Sequence, residues 1–179
     1  MLGNAASRLM LGCEEPRLAL LNVGSEQGKG PAWVRAARDL ICARPELNCD
    51  GFIEAHRIFS GDADVIVTDG FTGNVVLKEA EGLASALFKM LKRELMGSVR
   101  TKLGAALAKP AFYNVKKTMD YTEYGGAPLL GINGGIIKAH GSSDAHAFVS
   151  AIGQAVAYVK GGVTEKIAQG IAAIGTEEV

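Results

Sequence analysis

Asp64-Val-Ile-Val-Thr-Asp-Gly-Phe-Thr-Gly-Asn74 is the stretch that decides the fold. A β-branched run of strand length ends at Thr68, two glycines follow, and a long helical pattern begins at about Thr72. An apolar run without alternation is what a strand buried on both faces looks like. The helix expected over 72–95 carries Val76, Ala80, Leu83, Leu87 and Leu91 on one stripe, which predicts a core-facing side.

The same order occurs upstream. Arg17-Leu-Ala-Leu-Leu-Asn-Val23 reads as a buried strand, and Pro31 stands where a helix can start. Ala32 to Ala43 then gives helical spacing through Val34, Ala37, Leu40 and Ile41, and Cys49-Asp-Gly-Phe-Ile53 is a weaker strand. Strand, glycine loop and helix in repetition predict an α/β chain with parallel strands and ligand loops at their carboxyl ends. Met1 to Gly12 has helical spacing without a preceding cap.

Beyond Leu95 the expectations change. Gly97 and Gly104 interrupt a helical stretch, Pro110 should break it, and Phe112 to Met119 suggests another short helix. Residues 129–132 and 135–139, joined by Asn133-Gly134, read as a hairpin or a kinked strand. Asp144 to Lys160 is a helix with Ser142 or Ser143 as its cap, Val163 to Ile174 is another, and Thr176 to Val179 is a tail. The whole of 1–179 reads as a single α/β segment, a partial domain, with a basic helical excursion at 97–120.

Composition narrows the class. At 179 residues, 48% hydrophobic and 21% charged, the chain suits a globular domain, and no apolar run approaches the ~20 residues of a membrane span. No secretory leader is legible at the start. Cys13, Cys42 and Cys49 are odd in number and lack metal spacing, so reduced thiols in a cytoplasmic protein are expected. The zero net charge hides an asymmetry: residues 89–117 hold eight basic residues and one acid, which leaves eleven and eighteen elsewhere. A segment of +7 against a remainder of −7 is a local electrostatic feature. By default it is a solvated face, and no aromatic interleaving or recognition motif points to nucleic acid.

Three loops carry candidate chemistry. Gly24-Ser-Glu-Gln-Gly-Lys-Gly30 follows a strand and precedes a helix, so its N–H groups and Lys29 would attract an anion. A plain tight turn is an equal reading of that loop alone, because it matches neither the Walker nor the dinucleotide spacing. Asp69-Gly-Phe-Thr-Gly-Asn74 places Gly70 and Gly73 where a turn bares N–H groups, and Asn74 one helical turn before Lys78. Its bland reading makes Asp69 and Thr72 caps and Lys78 a surface residue. Tyr124-Gly-Gly-Ala-Pro-Leu-Leu-Gly-Ile-Asn-Gly-Gly-Ile-Ile-Lys-Ala-His-Gly-Ser-Ser143 offers His140, Ser142 and Ser143 among glycines that more plausibly shape loops. His56 and His146 have no such context and read as surface residues. Adjacent Ser, His and Asp in one loop do not make a triad, so polarisation of a bound oxygen suits His140 better.

Taken together, 20–30, 69–74 and 124–143 resemble the bacterial phosphate acyltransferase family of phospholipid synthesis. The resemblance runs from about Leu2 to Lys160 and matches only the carboxyl-terminal half of the family pattern. It leaves a fragment, a misplaced start and a truncated paralogue open. It implies a parallel-sheet sandwich of the isocitrate/isopropylmalate dehydrogenase-like type, a homodimer, and formation of acyl-phosphate from acyl-[acyl carrier protein] and inorganic phosphate on the route to phosphatidic acid. It also implies catalytic roles for Asn74, Lys78 and His140, and phosphate or substrate contacts from Lys29, Asp69, Gly70, Gly73, Ser142 and Ser143; Lys29, Asp69, Asn74, Lys78 and His140 are expected to approach one cleft at strand carboxyl ends. No cofactor and no metal are implied. Arg93, Arg100 and Lys102 are the expected contacts for an acidic carrier protein or an anionic membrane surface. Two other readings stand beside this one: a non-catalytic remnant that binds phosphate, carrier protein or a partner chain, and a phosphate acetyltransferase-like enzyme.

Overall fold

The computed structural model describes residues 1–118, 125–141 and 143–173. It divides into two compact units, Met1–Thr68 with Tyr124–Val179, and Asp69–Glu123. The chain is α/β: among the described residues a three-stranded parallel sheet, a two-stranded antiparallel ribbon and six α-helices.

In the first unit, β1 (Arg17–Asn22) pairs in parallel with β2 (Asn48–Glu54) on one side and β3 (Val65–Val67) on the other. Between β1 and β2 runs α2 (Ala32–Cys42). Leu18 and Leu20 of β1 and Phe52 of β2 pack with Val34 of α2, and Ala37, Ile41, Val65 and Val67 close around them. Successive residues of a strand face opposite sides, so Ala19, Leu21 and Ile53 occupy the other face, and they too are buried. That two-sided burial is why β1 is apolar without alternation. Arg17 ties β1 to the start of β3 through a two-pronged pair with Asp64, Nε to Oδ2 and Nη2 to Oδ1, both at 2.9 Å. These hydrogen bonds hold the Asp64 carboxyl down at about 2.

A second core joins α1 (Leu2–Met10), α5 (Ala145–Lys160) and α6 (Val163–Ala173) around Tyr158, Val163 and Ile167. Leu130 and Ile137, from the loop and strand of a small hairpin, pack against it. That hairpin pairs β4 (Ala127–Pro128) with β5 (Ile137–Lys138), so its strands are shorter than the sequence suggests. Gly125, at φ +74°, lies so close to α5 that a Cβ would strike the backbone at Ala147 and Ala151.

The second unit is a pair of helices, α3 (Gly70–Leu95) and α4 (Val99–Thr118). Two expectations fail here. The proposed core stripe is not a core: no α3 residue is buried, and Leu83 and Leu87 stand 64% and 61% exposed. Leu83 and Leu87 lie beside the half-buried row of Val76, Ala80, Ala84, Phe88, Leu91 and Leu95. Nor does Pro110 break the helix; α4 runs through it. Proline removes the intrahelical bond to the Ala106 carbonyl, and Ala106 is exposed, where water can take that carbonyl.

Two smaller corrections concern residues 42–49 and the start of α5. The cap of α5 is Asp144, whose Oδ1 accepts the Ala147 N–H at 2.9 Å, and not Ser143; Ser142 lies outside the described residues, as does the 176–179 tail. A carboxylate placed at the cap also complements the helix dipole. The cysteines are not all reduced: Cys42 is bonded to Cys49, and Cys13 alone is free.

Candidate functional site

The strand order β2-β1-β3 sends the chain from β1 to one side and then back to the other. Ligands of open parallel sheets bind outside the carboxyl ends of strands where the order reverses, here at β1 and β3. At the end of β1 stands Asn22, only 7% exposed. Its Nδ2 donates to the Lys29 carbonyl at 3.0 Å, while its Oδ1 has no partner among the described residues. The first contact folds the glycine loop back over the strand end. Gly30 sits at φ +82° against the Asn22 amide, so a side chain there would meet both strain and collision.

The loop is braced from the other side. Arg35, one turn into α2, donates from Nη1 to the carbonyl of Gly30, and a turn bond joins the Lys29 N–H to the Glu26 carbonyl at 3.0 Å. Lys29 is exposed, and Glu26 brings its carboxylate beside Gly24. Pro31 caps α2 without a side-chain hydrogen bond, which leaves the helix start open to an anion. Two cations and a helix start therefore act against one carboxylate. Lys29 was a candidate from the sequence; Asn22 and Arg35, which brace the same loop, were not, and the available signals were a polar residue closing an apolar run and an arginine one turn past a helix-starting proline.

Asp69, Gly70, Gly73, Asn74 and Lys78 belong to the second unit. Asp69 is the cap of α3: Oδ1 accepts from Phe71 N–H at 3.0 Å and from Thr72 N–H at 2.9 Å. Hydrogen bonding from Thr72 and then Phe71 lowers the Asp69 carboxyl below its ordinary value. Two of the N–H groups at this helix start are thus already engaged. Asn74 and Lys78 are both exposed on α3, four residues apart and so on one face. The Lys78 ammonium lies 3.4 Å from Glu81 Oε2, one turn further along.

His140 is exposed on the loop before α5, and its carbonyl accepts the Ser143 N–H at 3.0 Å. Ser143 Oγ is buried and without a hydrogen-bond partner among the described residues. Arg93 pairs with Glu94 at 3.1 Å, and Arg100 and Lys102 are exposed in the first turn of α4. A separate cavity of about 1050 Å³, lined by Arg8, Asp39, Arg44, Glu46 and Lys166, opens beside the 43–46 loop. That loop enters β2, so the cavity lies at the amino end of the sheet and away from the 24–30 loop. Ligands of open parallel sheets bind at the carboxyl ends of the strands, the end opposite to this cavity. Among the described residues no helix is long and apolar enough to cross a membrane.

Residues 1–166 match the model of a family described as fatty acid synthesis protein. The chain is 46% identical to the phosphate acyltransferase of Alkaliphilus oremlandii over 178 residues, 99% of this chain and 53% of that protein. It is 46% identical to the phosphate acyltransferase of Clostridioides difficile, covering 98% and 52%, and 46% identical to that of Brevibacillus brevis, covering 96% and 51%. The chain spans about half the length of these curated relatives. With the family's pattern running through both glycine loops and into α6, the chain belongs to the fatty acid synthesis protein family.

Proposed function

We propose that this chain forms part of a phosphate acyltransferase that makes acyl-phosphate from acyl-[acyl carrier protein] and inorganic phosphate for phospholipid synthesis. The observation that carries the reading is the braced loop 24–30, open to an anion at the end of β1, in a chain whose relatives are named phosphate acyltransferases. A phosphate oxygen attacks the thioester carbonyl, the C–O bond forms, and the C–S bond breaks with departure of the carrier's thiolate. Phosphate is already anionic near neutral pH, so the protein's work is positioning and charge stabilisation. In this reading Lys29 and the N–H groups of the 24–30 loop hold phosphate. Gly70 and Gly73 let the chain turn near substrate, with Asp69 as the cap that fixes them. Asn74, Lys78 and His140 stabilise the carbonyl oxygen as it gains charge, and Ser142 and Ser143 contribute hydroxyl donors. The parent architecture is the isocitrate/isopropylmalate dehydrogenase-like sandwich, of which 1–179 is a part.

Because the chain spans half of its relatives, the decisive test uses a full-length relative carrying the equivalent of Asn74→Ala or Lys78→Ala. Phosphate-dependent acyl-phosphate formation is expected to fall about 10²–10³-fold, the usual cost of removing an oxyanion donor. Unchanged rates remove both residues from the mechanism. A second reading is a non-catalytic chain that binds phosphate or a partner. Phosphate-dependent thioester cleavage by the purified chain alone would eliminate it.

Partners follow from the second unit. The +7 segment, with Arg93, Arg100 and Lys102, is proposed to dock acidic carrier protein or an anionic membrane surface at a cytoplasmic location. The exposed apolar faces of α3 and α4, including Leu103 and Leu107, support a homodimer built through these helices. Reversing Arg100 and Lys102 to Glu is expected to weaken low-salt binding to carrier protein or anionic vesicles and to leave folding intact. Equal binding would reduce the segment to a solubilising surface.

A further inference from the structure

We infer that Cys42 and Cys49 are a thiol–disulfide exchange site that reversibly staples the end of α2 to the edge strand of the sheet. Cys49 stands opposite Leu18 and Phe52 opposite Leu20, and both leucines belong to the core beneath α2. Cys49 and Phe52 are three residues apart, so in a regular strand they would face opposite sides. They share a face because the register shifts between them: Leu18 pairs with Cys49 but Ala19 pairs with Gly51, which leaves Asp50 as an extra residue. Gly51, at φ +82°, supplies the backbone that this bulge requires. The bulge therefore turns Cys49 toward α2, and Cys42 is the last residue of that helix. The two Cα atoms are 5.2 Å apart, inside the range a disulfide needs.

Position and exposure make the pair exchangeable rather than merely structural. β2 is an edge of the three-stranded sheet, Cys42 is exposed and Cys49 half-buried. Exposed disulfides are the ones thiols reach. The reactant class is a low-molecular-weight disulfide such as oxidised glutathione. The thiolate of one cysteine attacks it, one glutathione thiolate leaves, and a mixed disulfide forms. The second cysteine's thiolate attacks that mixed disulfide and expels the other glutathione. Two protein thiols are oxidised to one disulfide, one glutathione disulfide is reduced to two thiols, and the protons pass to the departing thiolates. The staple fixes the carboxyl end of a helix whose amino end carries the 24–30 loop, about 16 Å away.

The test equilibrates the whole chain in glutathione buffers of graded redox ratio, blocks free thiols by alkylation, and maps peptides by mass. The expected product of the oxidising buffers is a cross-linked peptide pair holding Cys42 and Cys49, lost again on return to reducing buffer, with Cys13 alkylated throughout. The oxidised chain should melt about 5–10 °C above the reduced one, as an eight-residue loop closure implies. That difference should vanish in Cys42→Ser and Cys49→Ser and persist in Cys13→Ser. Separate alkylation or glutathionylation of Cys42 and Cys49 in the oxidising buffers would overturn the inference. So would a cross-link that uses Cys13, or one that survives reducing buffer.

Discussion

The two compact units use similar apolar material in opposite ways. In the first, Leu18, Leu20, Val34, Phe52, Tyr158, Val163 and Ile167 are shut away from water in two cores. In the second, α3 buries no residue at all, and Leu77, Leu83, Leu87, Val99, Leu103 and Leu107 all stand exposed. Apolar side chains at helical spacing therefore do not announce a core; they announce a face that something must cover. For α2 that cover is the sheet. α3 and α4 meet each other around Phe88, Leu91, Leu95 and Phe112, which line an apolar groove.

This contrast can be broken by mutation. Leu18→Ala, at a site 1% exposed, is expected to cost about 2–5 kcal/mol in denaturant unfolding of the chain. A cost under about 1 kcal/mol would mean that the sheet core is not what stabilises the first unit. Asp144→Ala removes the cap of α5 and should cost roughly 1 kcal/mol, because the Ala147 N–H loses its acceptor. No change would mean that solvent serves the helix start equally well.

The Arg17–Asp64 pair gives a pH-dependent test of the same unit. The carboxyl is held at about 2, below its ordinary 3.8, so the pair's contribution is complete above roughly pH 4 and is lost as the pH falls through 2. Asp64→Asn should flatten the acid limb of stability in that window and leave the neutral plateau nearly unchanged, since an exposed pair contributes little. An identical acid limb in the variant would assign it to other carboxylates. Smallest of all, Leu87→Ala on α3 should alter unfolding by less than about 0.5 kcal/mol. A loss comparable to that of Leu18→Ala would show that α3 has a covered face in solution, and its dependence on protein concentration would identify a second copy as the cover.

Legibility in the sequence followed how local the cause was. The run 17–23 announced β1 because two-sided burial removes alternation, whereas α3 starts at Gly70 and not at about Thr72, with Asp69 in the capping role that was only the bland reading of its loop. Lys29, Asn74 and Lys78 stood out by loop context and helical spacing. Asn22 and Arg35 did not, since their importance lies in where a loop folds back. Asp144 was passed over as a cap in favour of neighbouring serines, although Ser and Asp both suit the position. Pro110 was misread because its cost depends on whether the freed carbonyl meets water, which no local pattern records.

By itself, the sequence determined the parallel α/β order, the two glycine loops at strand ends, the charge asymmetry and the family resemblance. Each rests on contacts between residues close in the chain, where propensity, spacing and turn chemistry decide. Only the tertiary structure decided that no residue of the α3 stripe is buried, that Asn22 and Arg35 brace the 24–30 loop, and that Cys42 meets Cys49. Those outcomes depend on which face of one element another element covers. A single extra residue in β2 changes that face, and periodicity alone cannot supply it.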